Sequence, residues 1–454
     1  MARSHDLLDW NPEDTKAWQE GNSAVARRNM TWSIATDHVA FGVWTFWSVL
    51  VLFMPESVYG FSAGDKFLLL AVNTLVGALT RIPYTVGIGI FGGRNFTVAI
   101  TLVLLIPAAG TIWLLANPGL PLWPYVVCAA LTGLAGGNFS AAMTNINAFY
   151  PQRLKGWALG LNAAGGNIGV PAIQVFCLLV IALAGHRQPY WVSGTYMVLL
   201  TVTGIGAMLF MDNIKDYEVN FRAMRTMLGQ RHTWLLSLLY VGSFGSFIGF
   251  SFALGQVLHL KFSDAGQSAA QASLHAAEIA FIGPLLGSVS RFYGGKLADR
   301  IDGGRVTLAV FGGMVFAAGL LVLGSTVSDN NGGRFVTAAV IPYAVGFALL
   351  FILAGAGNGS IYKMIPSVFE ARSRSLDLGE EERKRWSKNV GGAMVGFADS
   401  VGAFGGFLID IALRQSYLGA RTETPALWIF FFCYIGFAAL TWAVYVRRPV
   451  STRR

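Results

Sequence analysis

Charge is what this sequence has least of: Asp, Glu, Lys and Arg make up 13% of its 454 residues, against about 25% in soluble globular proteins. With 54% of its residues hydrophobic, such a chain belongs in a lipid bilayer rather than in water. Cysteine is scarcer still. Cys128, Cys177 and Cys433 lie inside apolar runs without metal-ligand spacing, which excludes a disulfide framework and gives no metal site; no cofactor is implied. The six histidines are scattered over termini, loops and helix ends. None joins a nucleophile or a carboxylate cluster, so no catalytic residue is assigned and no enzyme is expected. The first thirty residues lack an apolar core and mix charges of both signs, which excludes a cleavable signal peptide. The net charge of +9 is spread over many short loops rather than one face, which excludes a nucleic-acid surface.

What is present is a succession of apolar stretches, each long enough for the about 20 helical residues that cross a hydrocarbon core. Twelve are expected, in an all-α membrane protein with two six-helix, pseudo-symmetric halves. The boundaries place an N-terminal tail at 1–34, one half at 35–211, a polar linker at 212–232, the other half at 233–446 and a tail at 447–454. Of the 33 lysines and arginines, 24 fall on the side of the termini, 6 on the opposite side and 3 inside helices. Both termini are therefore expected to be cytoplasmic. The charged segment from Glu370 to Lys388 reads as a solvated loop with room for a surface helix.

Two arginines break the apolar pattern. In GSVSRFYGGKLADRIDGGR, from Gly287 to Arg305, Arg291 sits 14 positions before the end of a charged loop, roughly 15–20 Å below the polar surface. A guanidinium does not snorkel that far. The same construction appears as GALTRIPYTVGIGIFGGR from Gly77 to Arg94, with Arg81 in the matching position. The halves repeat in other respects: GLAGGNFSAAMTNINAFYP with Asn138 and Ser140 answers AGAGNGSIYKMIPSVF with Asn358 and Ser360, and GLNAAGGNIGV from Gly160 answers GFADSVGAFGG from Gly396. Such order is expected of parallel repeats related by an axis along the membrane normal, with one site served by both. The 54 glycines gather in these segments, where small residues let helices approach closely and slide.

These residues carry a resemblance. Gly295, Asp299 and Arg300 with Arg305 resemble the loop between the second and third helices of each half in the major facilitator superfamily. The two glycine-rich segments are similar to the signatures of its nitrate/nitrite porter family, and the likeness runs from the first span to the twelfth. The resemblance implies transport of nitrate and nitrite across a bacterial inner membrane by alternating access, by a monomer with the lipid bilayer around it. It also implies that Arg81 and Arg291 clasp the anion, that Tyr240 contacts it, that Phe41, Phe139 and Phe244 cover its faces, and that Asn167 lies close by.

The chemistry agrees independently. A guanidinium is flat, permanently charged and gives two parallel hydrogen bonds to two oxygens of one anion. An intramembrane arginine costs about 2.5–3.5 kcal/mol, so two demand a function. Two arginines about 8 Å apart would repel by roughly 2 kcal/mol at an effective dielectric near 20, so an empty carrier resists closing and an anion reverses the sign. That alone gives obligatory exchange, antiport of nitrate for nitrite. Symport with protons needs a further titratable group. Lys363, Asp399 and Glu278 stand at positions uncharged in the family's exchangers, and Lys363 with Asp399 is expected to form the charge-linked pair that permits empty return in proton-coupled nitrate uptake.

Overall fold

A run of about 20 apolar residues with no water to bond its backbone has to close its own hydrogen bonds, and a helix does so. The computed structural model, which describes residues 5–184, 188–215, 220–332 and 337–447, is accordingly built from long helices. They are α1 (Thr15–Trp44, continued after a 44° bend by Phe46–Phe53), α2 (Ala63–Phe91), α3 (Gly93–Ala116), α4 (Leu122–Phe149), α5 (Gln152–Ala184) and α6 (Tyr190–Phe210). After a short helix, Phe221–Leu228, follow α7 (Arg231–Asp264), α8 (Ala269–Arg300), α9 (Gly303–Asn330), α10 (Ala338–Ser373), α11 (Glu380–Ala420) and α12 (Thr424–Val446). Eleven of these are long and apolar enough to cross a membrane, and the bent α1 makes twelve.

The chain forms two compact units, Met1–Gly60 with Leu75–Val219, and Phe61–Thr74 with Asn220–Arg454. The division falls between Val219 and Asn220, and the start of α2 belongs to the second unit. The reason lies in its side chains. Phe67 stacks on Tyr417 at 5.2 Å, and the Thr74 hydroxyl donates to Asp410 at 3.1 Å.

Residues 5–34 of the expected N-terminal tail are folded onto their own unit. Asp6–Leu7 pairs in parallel with Asn213–Ile214, Trp10 packs edge-on against Phe149 at 5.3 Å and Trp18 against Tyr150 at 5.6 Å. Arg28 and Asn29 both donate to the buried Asp212. The helix of the first span therefore begins well before position 35. The charged segment after Glu370 carries helix at both of its ends. α10 continues to Ser373 and α11 starts at Glu380, held by exposed pairs such as Arg374 with Glu370 and Lys384 with Glu380, each at 2.9 Å.

The second unit encloses a polar core at one end of its helices. Lys261, at the end of α7, pairs with Glu423, just before α12, at 3.0 Å, and both are buried. Glu423 Oε1 also accepts from Ser325 at 2.7 Å and Tyr343 at 3.3 Å, and Oε2 accepts from Tyr417 at 2.9 Å.

Candidate functional site: an arginine and its aromatic wall in each unit

In the first unit Arg81 of α2 is fully buried. Its guanidinium carbon lies 5.2 Å from the ring centroids of both Trp44 and Phe139. Phe41 packs edge-on against both rings, at 5.5 and 5.6 Å. Each helix breaks where it presents these groups. The Thr45 hydroxyl donates to the Phe41 carbonyl at 2.6 Å as α1 bends after Trp44, and α4 tightens into a 3-10 turn over Leu134–Gly137 immediately before Asn138 and Phe139. A Cβ at Gly77 or Gly136 would overlap the Trp44 indole, so α2 and α4 close upon it only because both positions are glycine. Asn167 of α5 is buried, and neither of its amide atoms has a hydrogen-bond partner among the described residues.

In the second unit Arg291 of α8 is half-buried, with its guanidinium carbon 4.9 Å from the Tyr362 ring and 6.0 Å from that of Phe244. Its buried Nη1 has no hydrogen-bond partner among the described residues. Tyr240 stacks on Phe244 at 5.1 Å and 12° and meets Tyr362 at 5.3 Å. A π-helical turn, Val241–Gly245, sets that stacking by shifting the register between the two rings; such turns recur at functional sites. Each unit thus holds a cation against aromatic faces, an arrangement worth about 0.5–2 kcal/mol per contact, and a guanidinium is the group that receives a planar oxyanion through two parallel hydrogen bonds.

The expected coupling pair does not form. Lys363 instead binds Asp299 at 2.9 Å, with both side chains about half exposed at 51% and 53%, while Asp399 is buried and accepts from the Tyr362 hydroxyl at 3.3 Å. Successive helical residues diverge by about 100°, so Tyr362 turns to Arg291 and Asp399 while Lys363 turns to the end of α8. Glu278 is exposed on α8. The loop motif ties neighbouring helices together: Gly295 packs along Gly359, Asp299 holds Lys363, and Asp302 accepts from the backbone N–H of Arg305 at 3.0 Å, capping α9. Arg300 and Arg305 are exposed. The corresponding Arg94 donates through its backbone to Asn213 at 3.0 Å and through Nη2 to the Met208 carbonyl at 2.6 Å.

Three residues of these walls were not anticipated: Trp44, Tyr362 and Asp37. Trp44 lies three positions after Phe41 on one helix face, a signal within reach of the sequence. Asp37 precedes Phe41 by one turn, and its charge interacts with Arg81.

The sequence pattern of the Major Facilitator Superfamily matches residues 38–408. The chain is 34% identical over 469 residues to the nitrate/nitrite transporter NarU of Escherichia coli (strain K12), covering 98% of this chain and 97% of that protein. The chain belongs to the nitrate/nitrite porter family of the major facilitator superfamily. The porter is also 31% identical over 469 residues to the probable nitrate/nitrite antiporter NarK2 of Thermus thermophilus, covering 97% of each. Among solved structures it is similar to the nucleoside transporter NupG, with a TM-score of 0.62 and 12% identity over 91% of this chain and 98% of that one; this likeness concerns the fold alone. Transport, rather than catalysis, is what these relatives' names describe.

Proposed function

We propose that this porter carries nitrate and nitrite across the bacterial inner membrane by alternating access, with both termini cytoplasmic, and that net nitrate uptake is coupled to protons. The observation that carries the reading is Arg81, fully buried and faced by Trp44 and Phe139, in a chain whose relatives are named for nitrate and nitrite. Arg81 and Arg291 are the anion's ligands, each giving parallel hydrogen bonds to oxygens of a flat anion. Phe41, Phe139 and Phe244 cover the faces of the anion and exclude bulkier solutes, Tyr240 contacts it, and Asn167 lies close by as a further polar group. The cytoplasmic bias of lysine and arginine supports the orientation.

Exchange is the second reading, favoured by the name of the Thermus relative, a probable antiporter. A facilitator for another small anion is the more remote one. Proteoliposomes separate all three. Labelled nitrate is supplied outside, with either nitrite or no counter-anion inside, under two pH gradients. Uptake into empty vesicles that rises with an inward proton gradient is the expected result. Uptake only against internal nitrite establishes exchange, and no nitrate movement under either condition overturns the substrate.

A further inference from the structure

Five carboxyl groups are buried among the described residues: Asp37, Asp212, Asp399, Asp410 and Glu423. Four of them accept a hydrogen bond, Asp212 from Arg28 and Asn29, Asp399 from Tyr362, Asp410 from Thr74, and Glu423 from several hydroxyls. Asp37 differs, because neither of its oxygens has a partner among the described residues although only 1% of its surface is exposed. α5 closes over it: a Cβ at Gly166 would overlap Asp37 Oδ2 and touch Phe41, and His38, the next residue, spends its Nδ1 on the Gly165 carbonyl at 3.0 Å. From α2 the charged group acting on Asp37 is Arg81. α4 offers no titratable side chain over Asn138–Phe149, and α6 no charged one, its Tyr196 lying against Gly42. The basic residues of α5, Arg153 and Lys155, stand 11 or more positions before Gly166, roughly 16 Å along the helix.

A buried carboxylate without hydrogen bonds is tolerated only when a cation or a proton neutralises it. Here the cation is the substrate-binding arginine itself. We propose that Asp37 is the proton-carrying group of the transport cycle, protonated when an anion occupies Arg81 and deprotonated when the site is empty. This rests on the nitrate reading above and adds to it the place where the proton goes. With the site empty, Asp37 carboxylate balances Arg81, and the unit is neutral and free to reorient. A nitrate that engages Arg81 takes up that positive charge and leaves one negative charge in excess, the charge of Arg291 being offset in its own unit by the buried Asp399, which accepts from the Tyr362 that faces the guanidinium. A proton from the outer solution then binds an Asp37 oxygen and restores neutrality, and it leaves to the inner solution with the anion. Anion and proton therefore favour each other's binding, reciprocally, and one proton accompanies each nitrate.

The test is calorimetric titration of the purified full-length protein with sodium nitrate in buffers of different ionisation enthalpy, at acid, neutral and alkaline pH. The wild type is expected to take up about one proton per nitrate, its affinity falling by up to about tenfold per pH unit on the alkaline side. Asp37→Asn is expected to bind nitrate with a proton count near zero and an affinity independent of pH. Asp37→Glu restores the linkage, and Glu278→Gln, at an exposed position of α8, keeps it. Nitrate binding to the wild type without proton uptake overturns this inference alone, and so does an Asp37→Asn protein that still takes up a proton. If Asp37→Asn fails to fold, the wild-type count and the Asp37→Glu variant decide. Wild-type protein that binds no nitrate at any pH overturns the anion reading, and this inference with it.

Discussion

Asp37 and Glu423 are both buried carboxylates, 1% exposed each, in different units of the same chain, and their surroundings are opposite. Glu423 has an ammonium at 3.0 Å and three hydroxyl donors; Asp37 has Gly166 over it and the charge of Arg81 acting on it. The first is a fixed charge whose every interaction is made on folding. The second is left to be satisfied by whatever arrives, and satisfaction that depends on occupancy is what a coupling group requires. Burial alone therefore does not distinguish structural carboxylates from working ones, while hydrogen-bond completeness does.

The largest expected effect tests the structural half of that contrast. Glu423→Ala takes from Lys261 the nearer of its two carboxylates, leaving Asp329 at 3.8 Å, and removes the acceptor of three hydroxyls; breaking a buried pair costs up to about 3–5 kcal/mol. The melting temperature in detergent should fall sharply, whereas Asp37→Asn should shift it little. Equal shifts for both variants would erase the distinction.

Next in size are the arginines. Arg81→Lys and Arg291→Lys keep the charge but lose the flat two-point contact, and each should weaken nitrate binding on the order of 100-fold, about 2.7 kcal/mol. Arg81, the more deeply buried, should show the larger loss. Binding within about threefold of the parent in either variant would remove that residue from the site.

A smaller effect is expected of the rings. Phe139→Ala and Phe244→Ala each remove one cation–π face, worth about 0.5–2 kcal/mol, and should raise competition by pyramidal chlorate relative to planar nitrate. Unchanged competition would assign these rings to packing alone.

How far the sequence carried depends on which signal each residue leaves. Arg81 and Arg291 were legible because a guanidinium deep in an apolar run is costly and the motif around it occurs twice. The glycines of α4 and α5 were legible as a cluster, though their particular duty against Trp44 and Asp37 was not, since closeness between helices leaves no mark on either one alone. Asp37 was hidden by a boundary. With the first span starting near 35, a carboxylate at 37 reads as a residue of the polar interface, and only the helix starting at Thr15 carries it inward. Lys261 and Glu423 were hidden likewise, standing at span ends where charge is ordinary. Lys363 was misassigned because helix order brings α10 near α11 but says nothing of which way one side chain turns.

That misassignment yields the smallest expected effect and the sharpest check on where coupling resides. Lys363 and Asp299 are each about half exposed, so solvent screens them and their pair is worth about 0–1 kcal/mol. Lys363→Gln should lower the melting temperature by no more than a degree or two, and it should leave the stimulation of net nitrate uptake by an inward proton gradient in place. The orientation of Tyr362, one residue earlier, is held by Arg291, Tyr240 and Asp399 and owes nothing to the lysine. Loss of proton stimulation in Lys363→Gln, with nitrate binding intact, would return the coupling to the second unit and leave Asp37 as a counter-charge to Arg81 alone.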